Sequence, residues 1–280
     1  MRDGGTRSVP TSRDGRYAPS PTGRLHVGNL RTALLAWLFA RSAGARFYVR
    51  IEDLDTGRVR PGIADQQLAD LAAIGLDWDG EVVRQSERTA LYEAALAGLD
   101  TYPCYCTRRE IREAPTAPHG PAGSYPGTCA ALTAAQRAAR EAAGRRPALR
   151  LRAAGRTDDF VVRRNDGAFA YNLAVVVDDA DQGVREVVRG EDLRDTTPRQ
   201  LLLYERLGWP APRFVHVPLV LGPDGERLAK RHGAVTLGDV EPTAARRWML
   251  RSLKLASADP ADFDPAVLPG DPAVFPGAAP

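Results

Sequence analysis

The stretch 16–29, Arg-Tyr-Ala-Pro-Ser-Pro-Thr-Gly-Arg-Leu-His-Val-Gly-Asn, constrains the fold more than any other part of the chain. A short apolar start passes into a turn punctuated by proline and glycine, and a helical run over 30–40 follows. That order predicts a strand, a tight loop and a helix N-terminus, with His26 where the helix opens. Helix N-termini carry unpaired backbone N–H groups and the positive end of the dipole, which suits phosphate. Gly28 has no Cβ, so a ligand can approach the backbone there. A second basic loop, Arg227-Leu228-Ala229-Lys230-Arg231, follows another strong strand far down the chain. Lys230 stands out because it and Lys254 are the two lysines among 38 basic residues.

Strand and helix signals alternate through the first hundred residues, which predicts a parallel sheet and an α/β fold. A mostly apolar helix is expected over 30–43, closed by Gly44, and a β-rich run over 46–51 leads into Glu52, Asp53 and Asp55. Pro61 opens a helix to about Ile74. A short strand over 82–86 precedes a helix over 87–99, with Ser86 as its N-cap. Around Cys104 the texture changes: Cys104-Tyr105-Cys106, a Pro/Gly-rich stretch over 114–128, Cys129, an Ala/Arg helix over 133–143, and two hairpin strands over 148–152 and 160–164. This region reads as an insertion. Buried character returns over 169–192, a helix runs from Thr197-Pro198 to Leu207 with Gly208 as its stop, and a strand over 214–221 delivers the Lys230 loop. A helix over 238–255 and a largely unstructured Pro-rich tail from Ser257 complete the expectation.

With 280 residues, 44% hydrophobic and 26% charged, the composition is that of a globular protein with a full core. A net charge of +3 tolerates an anionic partner without demanding one. No apolar run approaches the roughly 20 residues that cross a bilayer, and residues 1–15 lack the apolar segment of a secretory signal. A cytoplasmic protein with a disordered leader is expected. All three cysteines fall between positions 104 and 129, and thiols gathered so closely in a reducing compartment suggest metal before disulfide.

His26 and Lys230, in loops after separate strands of one sheet, can hold a triphosphate from both sides. Phosphoryl and nucleotidyl transfer ask the protein mainly for such positioning and charge neutralisation. No Walker A pattern is present, which disfavours an ordinary P-loop NTPase. The plainer alternative makes His26 a helix-start residue and Lys230 a solvated charge. Glu52, Asp53 and Asp55 can bind an ammonium, a ribose or Mg²⁺, or simply be solvated turn acids. Arg16 and Arg189 can each grip a carboxylate bidentately, or form surface ion pairs. Tyr171 reads as core. Cys104, Cys106 and Cys129 supply three thiolates for one tetrahedral ion, with His119 and Tyr125 as local candidates for the fourth ligand; generic zinc chemistry favours His119.

At this point the residues fall into a recognisable order. The stretch 16–29 resembles the HIGH region of class I glutamyl-tRNA synthetases. Arg50-Ile-Glu-Asp-Leu-Asp, Asp77-Trp-Asp-Gly, Phe169-Ala-Tyr-Asn-Leu-Ala-Val-Val-Val-Asp-Asp, Val188-Arg-Gly-Glu-Asp-Leu and Arg227-Leu-Ala-Lys-Arg, at the KMSKS position, follow in the family's order. The resemblance covers about residues 16–255. A full glutamyl-tRNA synthetase would continue into a helical anticodon-binding domain. Its absence, with Cys104-x-Cys106 and Tyr125-Pro-Gly-Thr-Cys129, is similar to the glutamyl-queuosine tRNA(Asp) synthetase family, whose zinc pattern makes Tyr125 the fourth ligand in place of His119.

The resemblance implies a Rossmann-like class I synthetase catalytic domain over 16–103 and 188–237, an inserted zinc-containing α+β subdomain over 104–187, and a short helical segment over 238–256 before the tail, 257–280. It implies tRNA-independent activation of L-glutamate with ATP and Mg²⁺, then transfer to queuosine in the anticodon of tRNA(Asp), by a monomer. Arg16, Ala18, Ser20, Glu52, Tyr171 and Arg189 would line the glutamate pocket, Glu52 meeting the ammonium. His26, Gly28, Asn29 and Lys230 would serve ATP. The substrate's own carboxylate attacks the α-phosphate, which agrees with the lack of a nucleophile–base motif. Asn29 stands where HIGH has its second histidine, Ala229 replaces the first serine of KMSKS and Arg231 the last. These changes bear on the rate of activation. The alternatives are a truncated glutamyl-tRNA synthetase charging the 3′ end of tRNA(Glu), a non-catalytic paralogue binding glutamate or tRNA, and a cofactor-pathway nucleotidyltransferase.

Overall fold

A computed structural model of the chain describes residues 12–113, 125–222, 225, 228 and 235–275. The elements are β1 (Gly15–Tyr17), α1 (Val27–Ser42), β2 (Phe47–Ile51), α2 (Ile63–Ala73), β3 (Val83–Arg84), α3 (Thr89–Ala97), β4 (Thr101–Cys104), α4 (Arg108–Glu113), α5 (Ala134–Ala142), β5 (Ala148–Leu151), β6 (Val161–Arg163), α6 (Tyr171–Asp181), β7 (Glu186–Gly190), α7 (Thr197–Leu207), β8 (Arg213–Val217), β9 (Val220–Leu221), α8 (Pro242–Ser252) and β10 (Ala273–Val274).

Five strands form a parallel sheet in the order β3-β2-β1-β7-β8. The chain winds outward from β1 to β3, then returns on the other side of β1 for β7 and β8. Strand order therefore reverses between β1 and β7, and it is at such a point, beyond the carboxyl ends of the strands, that open α/β sheets form ligand crevices. Helix α1 explains its own sequence. Leu30, Leu34, Leu35, Leu38 and Phe39 are all buried, because the sheet covers one side of the helix while α8 and the chain around Phe263 cover the other. A helix apolar all round belongs in an interior.

β4, β5 and β6 form a separate antiparallel sheet. Tyr92 of α3, Leu173 of α6 and Leu203 of α7 share a core with Leu151, Phe160 and Val162 at its base. The first strand of this antiparallel sheet starts at Thr101, paired with Leu151, α6 packs against it through Leu173, and β7 joins the parallel sheet from Glu186. No helix among the described residues is long and apolar enough to cross a membrane.

Several local expectations give way to tertiary context. Helix α1 starts at Val27, earlier than the apolar run suggests, because His26 caps it. Ser86 caps nothing: its N–H and hydroxyl both donate to Asp53, at 2.8 and 2.7 Å, a charged acceptor that outcompetes a helix end. The strand expected over 214–221 is broken between β8 and β9 at Pro218, which has no N–H to donate. Helix α8 is shorter than 238–255; Pro242 fits its first turn, and Lys254 beyond its end adopts φ 58°. Of the expected leader, residues 12–15 are described: Asp14 is buried and accepts from the backbone and side chain of Arg46, both at 3.0 Å.

The tail is the largest correction. Over 257–275 it is not unstructured: Phe263 packs edge-on against Phe39 with centroids 5.3 Å apart, Phe275 packs against Trp248 at 4.7 Å, and β10 pairs with β9. Two aromatic side chains spaced among the prolines supply the burial that a proline count alone does not reveal.

Candidate active site

The cleft at the strand-order reversal has a volume of about 690 Å³. Every described residue predicted for the glutamate and ATP sites lines it: Arg16, Ala18 and Ser20 from β1 and the loop after it, His26, Gly28 and Asn29 from the start of α1, Glu52 at the end of β2, Tyr171 at the start of α6, and Arg189 at the end of β7. Lys230, with Arg227, Ala229 and Arg231, lies outside the described residues. Leu228 of the same loop is described. It is buried against the cleft, and its N–H donates to Val220 O at 3.0 Å. Beyond the loop, Val235 O accepts from Val27 N at 3.0 Å and Thr236 bridges His26. The chain that leaves the second loop therefore touches the first.

His26 caps α1 with its ring. Nδ1 accepts from Gly28 N at 3.1 Å and from Asn29 N at 3.3 Å, while Asn29 Oδ1 accepts from His26 N at 3.3 Å. Gly28 is needed for this fit. A Cβ there would lie 3.0 Å from the imidazole and 3.2 Å from Val220, so the space glycine leaves is taken by His26 rather than held open for a ligand.

The two arginines differ in what they can still offer. Arg16 donates from Nε to Asp179 at 3.3 Å and from NH1 to Val188 O at 3.4 Å, which keeps NH2 available to grip a carboxylate. Arg189 is saturated: Nε donates to His216, NH1 to Gln200, and NH2 to Leu193 O and Thr197, and a further side-chain hydrogen bond joins it to Tyr171. The bidentate grip expected of Arg189 is not available in this arrangement. Burial and the facing Arg16 cation lower its pKa, while Tyr171 opposes. Burial also lowers the pKa of His216, helped by Arg189 and Arg194, so it stays neutral and accepts.

Glu52 is the acid set into the cleft, its side chain 10% exposed. Burial pushes its carboxyl up to about 7, against the opposing pull of Arg50 and Arg16. Of its neighbours, Asp53 is engaged by Ser86 and Asp55 lies 3.6 Å from Arg164, so both act structurally. Tyr171 is 37% exposed, against the expectation of a core residue; burial of its hydroxyl and nearby Glu52 raise its pKa, which keeps it a neutral donor.

Two cleft residues were missed at the level of sequence. Gln67 of α2 donates from Nε2 to Ser20 O at 3.1 Å and to Gly23 O at 2.7 Å, clamping both ends of the Pro/Gly turn. A glutamine in a helix two elements away gives no local signal of that. Asp192 also lines the cleft, and its place directly after Arg189-Gly190-Glu191 was a usable signal.

In the insertion, the sulfurs of Cys104, Cys106 and Cys129 lie within 4.8 Å of one another, Cys106 to Cys129 at 3.5 Å. Tyr125 Oη sits 3.4 Å from Cys104 Sγ and accepts from Cys129 N at 2.8 Å. The Arg150 guanidinium lies over the Tyr125 ring at 3.7 Å. Zn–S bonds of about 2.3 Å place tetrahedral ligands about 3.8 Å apart, so the three sulfurs fit one ion, with Tyr125 Oη beside Cys104. His119 lies outside the described residues.

The chain matches the family of class I tRNA synthetases (E and Q), catalytic domain, over residues 14–253. It is 59% identical over 287 residues to a protein named glutamyl-Q tRNA(Asp) synthetase from Nocardia farcinica, covering 92% of this chain and 91% of that one. It is 52% identical to one of the same name from Symbiobacterium thermophilum, covering 81% and 80%. Among solved structures it is similar to a glutamate-tRNA synthetase from Elizabethkingia anophelis, with a TM-score of 0.79 and 26% identity over 94% of this chain and 68% of that one. A glutamate tRNA ligase from Elizabethkingia meningosepticum, solved in complex with its amino acid, superposes with a TM-score of 0.78 at 26% identity, over 95% of this chain and 67% of that one. With this cleft at its strand-order reversal, the chain belongs to the glutamyl-Q tRNA(Asp) synthetases, a branch of the class I synthetase family for glutamate and glutamine.

Proposed function

We propose that the chain activates L-glutamate with ATP, without tRNA, and transfers the glutamyl group to queuosine in the anticodon of tRNA(Asp). The observation that carries this reading is the convergence of the His26-capped helix start with Arg16, Glu52, Tyr171 and Arg189 in one cleft. Glu52 takes the ammonium of the amino acid, Arg16 grips carboxylate charge with its remaining N–H groups, and the hydrogen-bonded pair of Tyr171 and Arg189 completes the polar lining. The substrate's α-carboxylate oxygen attacks the α-phosphorus of ATP; the new P–O bond forms as the bond to pyrophosphate breaks.

His26, with Nδ1 accepting backbone N–H, carries its ring proton on Nε2 and is oriented as a neutral donor to phosphate. Asn29 spends its carbonyl oxygen on the cap, which leaves its NH₂ as donor where HIGH would have histidine. Mg²⁺ accompanies ATP. Lys230 is assigned to the leaving pyrophosphate by sequence alone. In the second step a hydroxyl of the queuosine cyclopentenediol attacks the glutamyl carbonyl and AMP leaves.

A structural zinc ion is the reading that the Cys104, Cys106, Cys129 and Tyr125 set supports. The ion would tie the end of β4 to the Tyr125–Cys129 turn. The Cys129 N–H bond to Tyr125 Oη is the kind of outer contact that orients a ligand.

Glutamate-dependent ATP–pyrophosphate exchange by purified, zinc-replete protein with no tRNA is the primary test, and its absence would defeat the reading. Transfer of labelled glutamate to tRNA(Asp) with and without queuosine then fixes the acceptor. Charging that ignores queuosine would favour the tRNA(Glu) alternative.

A further inference from the structure

Beneath the cleft lies a cluster of charge to which the reaction assigns no task. Arg50, Asp178 and Asp179 are 0, 0 and 2% exposed. Arg50 donates from NH1 to Asp179 at 2.9 Å and to Gln182 at 2.7 Å, and from NH2 to Glu52 at 3.4 Å. The Asp179 oxygen that receives Arg50 also receives Nε of Arg16, at 3.3 Å. Asp178 faces the other way: Arg88 donates to it at 2.7 Å, Gln85 at 2.8 Å and Tyr92 at 3.0 Å, with Arg50 Nε more distant at 3.4 Å. Burying so many charges is a poor route to stability, since apolar residues of equal volume commonly do as well. Holding charged groups in register is a task that apolar residues cannot perform.

We propose that Asp179 is a positioning residue for amino-acid recognition: one carboxylate oxygen clamps Arg16 to Arg50, and Arg50 extends the link to Glu52. The cation and the anion that meet the substrate are thereby fixed relative to each other. Arg16 has a long, rotamer-rich side chain, and ordering it before the ligand arrives removes a cost from binding. The clamp sits on a rigid element. Helix α6 presents Tyr171 in its first turn and Asp179 in its last, so one helix sets both the rim and the floor of the pocket. This inference rests on the glutamate-pocket reading.

The test is the exchange assay with glutamate and ATP varied separately. Asp179→Asn keeps the side chain's shape and removes its charge. It raises the KM for glutamate about tenfold or more and moves the KM for ATP less than about twofold, because the clamp touches only the amino-acid side. Asp178→Asn breaks the same buried cluster away from Arg16. It lowers the melting temperature while the glutamate KM stays within about threefold. Arg50→Lys keeps the charge but cannot span Asp179 and Glu52 together, so it reproduces the glutamate-selective rise.

An Asp179→Asn enzyme with unchanged glutamate KM, or with glutamate and ATP affected equally, overturns the proposal. Should that variant not fold, Arg50→Lys decides by the same criteria. Calorimetric glutamate binding to the same variants keeps the two readings separate. Wild-type protein that binds glutamate but catalyses no exchange counts against the proposed activity, whereas unaltered glutamate affinity in the variants counts against the clamp.

Discussion

His26 and Asn29 cap each other: the ring Nδ1 of His26 accepts the backbone N–H of Asn29, and the side-chain oxygen of Asn29 accepts the backbone N–H of His26, both at 3.3 Å. The same imidazole therefore serves the fold and faces the cleft. The first role fixes the protonation needed for the second, since an accepting Nδ1 leaves the proton on Nε2.

The two roles separate by substitution. Asparagine is a good N-cap and alanine a poor one, so His26→Asn should retain most of the stability while His26→Ala loses about 1 kcal/mol. Both should lower the kcat of pyrophosphate exchange by about a hundredfold, because neither supplies the Nε2 donor. Thermal melts beside exchange kinetics make the comparison. A His26→Asn variant of near-wild-type kcat would show that the ring serves the helix alone.

Glu52 should impose a pH dependence with opposite signs on binding and stability. Burial raises its carboxyl to about 7 from the ordinary 4.5, although Arg50 and Arg16 oppose. Below that value Glu52 gains a proton and loses its attraction for the ammonium, so the KM for glutamate should fall as pH rises from about 6 to about 8. Between the two values the folded state binds more protons than the unfolded chain, so this group's contribution to stability falls as pH rises. Glu52→Gln should remove the pH dependence of the glutamate KM and raise its value throughout. A pH-independent KM in the wild type would argue that Glu52 does not meet the ammonium.

Arg16 and Arg189 should respond differently to lysine. Arg16 keeps donors free for a carboxylate, whereas Arg189 spends its own on Gln200, Thr197, Leu193, His216 and Tyr171. Arg16→Lys should raise the glutamate KM by about a hundredfold with little change in melting temperature, through loss of the guanidinium fork. Arg189→Lys, which orphans several buried partners, should destabilise by about 2 kcal/mol as well as weaken binding. Paired melts and exchange kinetics read both. Equal stability losses in the two variants would contradict the division of labour.

How much of this was legible in the sequence depends on how local each cause is. The strand–loop–helix start at 16–29 and the strand ending at Glu52 are encoded in contiguous residues, so His26, Arg16 and Glu52 could be named and placed at a sheet edge. Tyr171 could not be separated from core by pattern, because its exposure depends on where the N-terminus of α6 falls against the cleft. The saturation of Arg189 is set by Gln200 and His216, on an adjoining helix and strand, and no spacing announces it. Gln67 grips the loop from α2 by the same kind of distant contact. The tail departs from its expectation for the opposite reason: proline frequency carries no information about packing, and Phe263 and Phe275 decide the outcome by packing.

The cysteine cluster gives the last prediction. Cys106 is the half-buried member, and burial with its thiol neighbours pushes its pKa up to about 12, so without a cation its sulfur stays protonated at neutral pH. A metal ion reverses that balance by stabilising the thiolates, and binding should release protons. Cys106→Ser should therefore abolish stoichiometric zinc on elemental analysis and lower the melting temperature, with zinc uptake by the apo wild type releasing protons measurable in weakly buffered solution. Tyr125→Phe removes one proposed ligand and the acceptor of the Cys129 N–H, and should weaken zinc by about ten- to a hundredfold. Because the cluster lies in the insertion and not in the cleft, the glutamate KM of whatever folded Tyr125→Phe protein remains should be unchanged. Wild-type protein that carries no zinc and takes none up would leave the sulfurs as packed, reduced thiols.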